Sequence, residues 1–153
     1  MQNLCKVTVD SVEELDPRRV PAPYQFGYAY TISIHNTSPS HLIQILSRRW
    51  IVRDGDMKDR IIEGEGVVGK QPIIRPGEKH TYQSFTTLIS RYGEMTGKYF
   101  GVFSERLGDG EPDDDFSNDV PIDPIDTSDD IHLEGEPFET DIPLFTLIHR
   151  EIA

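Results

Sequence analysis

Tyr24-Gln25-Phe26-Gly27-Tyr28-Ala29-Tyr30-Thr31-Ile32-Ser33-Ile34-His35 alternates between large apolar and small or polar residues. Phe26, Tyr28, Tyr30, Ile32 and Ile34 share one parity; Gln25, Gly27, Ala29, Thr31, Ser33 and His35 share the other. A period of two in an aromatic and β-branched run describes a strand with one face in a core. Asn36-Thr37-Ser38-Pro39-Ser40 is a turn cluster, residues 42–52 form the next strand, and Asp54-Gly55 ends it. Further strands are expected around 6–12, 60–63, 79–88, 98–103 and 138–147. Pro76-Gly77, just before 79–88, is the pair a type II turn favours. No window of eleven or more residues carries an apolar stripe at helical spacing. Roughly seven or eight short strands separated by turns make an all-β sandwich or barrel. A Greek-key sandwich is the more economical choice, because its edges need only be covered or charged.

Between two of these strands lies Gly64-Glu65-Gly66-Val67-Val68-Gly69-Lys70-Gln71. It spells the dinucleotide fingerprint G-x-G-x-x-G and also G-x-x-x-x-G-K, with Gln71 where a P-loop needs Ser or Thr for magnesium. Both loops hold phosphate with backbone N–H groups at the start of a helix. The chain continues Pro72-Ile73-Ile74-Arg75-Pro76-Gly77, and two prolines so close forbid that helix. The glycines therefore read first as loop and bulge positions with φ > 0 or close backbone packing. The alternative is an anion site built from the amides of Gly66 to Gly69, with Lys70 as countercharge.

The chain has 153 residues, 36% of them hydrophobic, and a formal net charge of -12. That length is one domain, residues 1–153. Residues 104–136 hold 13 acidic residues against the single basic Arg106, so this segment alone accounts for the whole imbalance. With Pro112, Pro121 and Pro124 and few apolar anchors, it is expected to be a mobile loop inserted before the last strand. The acidity excludes nucleic acid as its partner. A lone Cys5 and no apolar run long enough for a signal peptide or membrane helix predict a cytoplasmic protein without membrane contact.

Arg48-Arg49-Trp50-Ile51-Val52, the glycine stretch, Gln71-Pro72, Arg75-Pro76-Gly77-Glu78, Gly93-Glu94-Met95-Thr96-Gly97-Lys98-Tyr99 and Asp141-Ile142-Pro143-Leu144-Phe145-Thr146-Leu147 occur in that order. Together the series resembles the ApaG domain, from about Cys5 to Phe103 and again from Pro137. The resemblance implies an immunoglobulin-like or fibronectin type III-like β-sandwich. It also implies a link to dinucleoside polyphosphate metabolism and to cobalt or magnesium tolerance in bacteria, and to protein recognition in eukaryotes. The acidic stretch departs from the family pattern, in which the final hairpin is tight.

Catalytic and metal chemistry find little support. Asp113-Asp114-Asp115-Phe116-Ser117-Asn118-Asp119 begins like a calcium loop, but Asn118 replaces its glycine and Pro124 its glutamate. His35, His41, His80, His132 and His149 lack ligand spacing. Ser84 and His80 share a strand face but stand about 13 Å apart by strand rise. No catalytic residue, metal ligand or cofactor is assigned. On the Arg48–Trp50 run, Arg48 and Trp50 share a face and Arg49 takes the other; Trp50 is read as core with the stem of Arg48 along it.

The resulting expectation is a non-catalytic binding module for a protein partner. Its surface would draw on Arg48, Arg49, Gly64, Gly66, Gly69, Lys70, Gln71 and Arg75. The alternative is a binder of a nucleotide, dinucleoside polyphosphate or pyrophosphate, tied to divalent-cation homeostasis. Free strand edges also allow a homodimer.

Overall fold

The computed structural model describes residues 4–55, 57–104 and 133–148. It folds them into β1 (Cys5–Glu14), β2 (Phe26–Asn36), β3 (Leu42–Asp54), β4 (Arg60–Glu65), β5 (Ile73–Ile74), β6 (Lys79–Leu88), β7 (Tyr92–Ser104) and β8 (Glu136–Ile148). The only helical element among these residues is a 3-10 turn at Pro17–Arg19. The strands form two antiparallel sheets, one in the order β1-β2-β6 and the other β4-β3-β7-β8, with β5 paired to β3. This is a sandwich, as the alternation led one to expect, and it is of the immunoglobulin/fibronectin type III-like kind that the resemblance implied. Successive strands cross between the sheets after β2, β5 and β6, which is the Greek-key return.

The inward parity of β2 is the one the sequence marks: Tyr28, Tyr30, Ile32 and Ile34 are buried. They meet Ile43, Ile45, Trp50, Val52, Met95, Tyr99, Ile142 and Leu147 of the facing sheet in one core. Trp50 is a core residue, packed against Tyr30 and Phe145 with ring centroids 5.5 and 6.0 Å away. The outward parity of β2 is less open than alternation predicts. Leu15 and Val20, from the β1–β2 connection, close over Gly27, while the Ser33 hydroxyl lies between Asp10 and Thr81 and is buried.

Three features lay beyond the sequence reading. The β7 strand begins at Tyr92 rather than near Lys98, because Gly93, Met95 and Gly97 continue its inward parity beside β3. The two-residue β5 adds a short pairing to β3 that no pattern marked. A bulge at Leu46, between Ile45 and Ser47, reverses the parity of β3: Ile43 and Ile45 point inward before it, Arg48, Trp50 and Val52 after it. The insertion expected over 104–136 is cut at both ends, because Ser104 closes β7 and Glu136 opens β8; residues 105–132, with the calcium-like run, His132 and Arg106, and also His149, lie outside the described residues.

Candidate functional site

The bulge at Leu46 creates the anchor of the glycine loop. A bulged residue is left out of the ladder, and Leu46 O here accepts from Gly66 N at 2.7 Å and from Gln71 Nε2 at 3.0 Å. Gln44, buried one turn of the pleat earlier, donates Nε2 to Gln71 O at 3.0 Å, and Ile45 N donates to Pro72 O at 3.1 Å. Gln71, expected as a contact residue, thus ties the end of the loop to β3.

Arg48 holds the other end. Its side chain leaves the inward face of β3 and Nη1 donates to Glu65 O at 3.0 Å and Gly66 O at 2.9 Å. The guanidinium lies so flat on Gly64 that a Cβ there would stand 2.7 Å from Nη2. The charge does not run out to solvent along Trp50; it turns back onto the chain. It also sits beside a buried hydroxyl group cluster. Tyr82 and Tyr99 share a hydrogen bond between their hydroxyls, and Tyr30 bonds to Ser84. Burial pushes all three phenols upward despite the favourable charge of Arg48.

Between these anchors the chain makes a tight turn. Val67 N donates to Lys70 O at 2.8 Å and Lys70 N to Val67 O at 3.1 Å, with φ of +47° at Val68 and +77° at Gly69. Two positive φ values in a two-residue connection describe a type I′ turn, where Asn-Gly is the favoured pair. Val67 is buried in the core, but Val68 is 56% exposed. A β-branched residue in the left-handed region loses roughly 1–2 kcal/mol, and Val68, more than half exposed, lies outside the buried core that could offset it. Val68→Asn should therefore raise stability by about 1 kcal/mol, read as a higher urea midpoint at unchanged slope.

Lys70 projects beside β6. Burial first, and then the positive charge of Lys70, lower the pKa of the His80 imidazole. The structure thus brings together Arg48, Gly64, Gly66, Gly69, Lys70 and Gln71. Arg49 lies on the opposite sheet face, in an ion pair with Glu63, lining a shallow depression of about 340 Å³ with Ile51, Thr96, Lys98 and Asp141. Arg75 lies in the turn between β5 and β6, where Glu78 N donates to its carbonyl and Gly77 has φ of +82°. Neither is joined to the loop cluster by a hydrogen bond among the described residues.

The remaining chemistry is sparse. Cys5 is buried, and burial pushes its thiol up to about 11. Among the described residues no three His, Cys, Asp or Glu side chains stand where they could hold a metal ion, and no helix is long and apolar enough to cross a membrane. The residues missed by sequence reasoning are Leu46, Gln44 and Val68. The parity switch between Ile45 and Trp50 was the available signal for the first; a valine ahead of glycine in a tight turn was the signal for the last.

A family model described as the ApaG domain matches residues 17–102, a span holding β2 to β6 and most of β7. Similar curated proteins are named Protein ApaG. The one from Pseudomonas paraeruginosa is 43% identical over 98 residues, covering 64% of this chain and 76% of its own. The one from Vibrio cholerae is 44% identical over 82 residues, covering 54% and 64%. A crystal structure of a protein called ApaA from Bordetella pertussis superposes with a TM-score of 0.68 at 28% identity, covering 97% of this chain and 95% of that one. A structural-genomics target of known X-ray structure gives a TM-score of 0.71 at 24% identity over 98% and 90% of the two chains, a likeness of fold.

Proposed function

This chain belongs to the ApaG domain family, and from that footing we propose that it acts as a non-catalytic protein-recognition module with the 64–71 loop as its contact surface. The observation that carries this reading is Val68, an exposed β-branched side chain held at φ of +47°. A residue that strains the backbone and stands outside the core finds its use in a contact outside the fold. The anchors on Leu46 O and Arg48 keep the loop in one shape, which limits the ordering entropy of docking.

The phosphate-binding alternative has less to draw on. The amides of Gly66, Val67 and Lys70 are already bonded to Leu46 O, Lys70 O and Val67 O. An anion would meet only the amides of Val68 and Gly69 and the Lys70 ammonium. Quantitative capture from extract of the cells that carry the gene compares the intact chain with Lys70→Glu. Lys70 is exposed and without an ion pair among the described residues, so the variant should keep its Tm and lose its partner. Equal capture by both chains would reject the loop as the contact surface. In parallel, stabilisation by millimolar diadenosine tetraphosphate, ATP or pyrophosphate, growing as RT ln(1 + [L]/Kd), would put the phosphate reading first.

A further inference from the structure

Sheet edges either protect themselves or accept another chain. Among the described residues the edge strands are β1 and β6 of one sheet and β8 and β4 of the other, with the two-residue β5 continuing the β4 edge along β3. Three are guarded. The β1 edge is broken by a bulge between Val9 and Ser11. The β8 edge carries Pro137, Pro143 and a bulge opposite Thr96. The β4 edge is six residues long and spaced with Arg60, Glu63 and Glu65. The β6 edge has none of these devices: ten residues without proline or register shift, and Lys79 as its one formal charge.

The register settles which backbone groups of β6 face outward. Asn36 N donates to Glu78 O in line with the β2–β6 ladder, so even-numbered residues of β6 exchange bonds with β2. Odd-numbered residues direct N–H and C=O away from the sheet, and Thr87 O, which accepts from Arg60 Nη2, obeys that alternation. Thr81, Gln83 and Phe85 thus present backbone groups with no partner among the described residues, at about 7 Å intervals. Their side chains lie on the outer face, where Phe85 is 60% exposed. At the start of the strand Lys79 places an ammonium group, and the charge of Lys70, which has no carboxylate partner among the described residues, reaches the adjacent His80.

We infer that β6 is a strand-addition site, taking an extended acidic segment of a partner protein as a fourth, antiparallel strand of the β1-β2-β6 sheet. Backbone bonds to Thr81, Gln83 and Phe85 supply the affinity, and alternate side chains supply the choice of segment. Lys79 and Phe85 share a face about 20 Å apart. The segment therefore carries an apolar residue against Phe85 and, about six positions later, an acidic one near Lys79 and Lys70. This inference rests on the protein-recognition reading and adds where the partner backbone runs.

The test uses the intact chain and a synthetic peptide of about ten alternating threonine and valine residues, with phenylalanine near its N-terminus and glutamate about six positions on. Binding should slow hydrogen exchange at the Thr81, Gln83 and Phe85 amides at least about tenfold and leave the Ser84 amide, already bonded to β2, unchanged. Gln83→Pro removes an outward N–H and no ladder bond, so the fold should persist while affinity falls about tenfold or more. Phe85→Lys, an exposed outer-face change, provides the same test should the proline variant fail to fold. Absence of binding, or binding that survives both variants, overturns the inference. Self-association of the chain alone, abolished by Gln83→Pro, would assign the edge to a second copy and overturn it too. Natural-partner capture that is lost in Lys70→Glu but intact in Gln83→Pro rejects strand addition and keeps the loop reading.

Discussion

Gly66→Ala should destabilise the chain by about 4 kcal/mol, the largest effect expected at the candidate site. Two terms combine. At φ of +65° an alanine Cβ is strained, and that Cβ would stand 2.2 Å from the carbonyl oxygen of Lys70. The obstacle is backbone, so no rotamer change relieves it. The 67–70 turn must open, and with it go the two bonds that close it and the bond from Gly66 N to Leu46 O. Gly69→Ala is the matched control: φ is +77°, but nothing lies within 4 Å of the added Cβ. It should lose only the conformational term, about 1 kcal/mol. Urea denaturation of both variants checks the difference. Equal losses would mean that the turn tolerates the clash and that backbone freedom alone explains both glycines.

Arg48→Met comes next, at about 3 kcal/mol. Methionine keeps an unbranched stem of similar reach along the inward face, so the loss isolates the two bonds from Nη1 to Glu65 O and Gly66 O. Bonds to a charged donor contribute about 1.5–3 kcal/mol each, less where solvent can replace them. The amides of Gly66 and Val67 should exchange faster in the variant, while those of β2 keep their relative protection. A loss below about 0.5 kcal/mol, in the range of an exposed ion pair, would show that Leu46 O and Gln71 hold the loop without Arg48.

The sandwich was legible in the sequence because burial on one face imposes a period of two, and the 24–35 run keeps it unbroken; in 79–88 the outward Phe85 and the inward Ser84 and Thr86 break it. The site was legible in composition but not in geometry. The glycines marked a loop, and the prolines after Lys70 correctly forbade the helix that a phosphate-binding loop requires. Nothing local to the loop indicates that its anchor is Leu46 O, because the anchor arises from a bulge in another strand. Arg48 reads as an exposed cation by its type; only the approach of β4 beside β3 turns its guanidinium onto Gly64 and the following carbonyls. Arg49, its neighbour in sequence, faces the opposite side for the reason the strand geometry gives. The openness of β6 is a comparative property of four edges, and a single strand pattern cannot express it.

Under the recognition proposal, the 64–71 loop strains its own backbone to present Val68 to a partner. The most direct measurement pairs the melting temperature of Val68→Asn with its capture of partner from extract. Opposite movements are expected: a higher Tm and a weakened capture. A higher Tm with undiminished capture would contradict it, leaving Val68 as uncompensated strain and the loop as a structural turn.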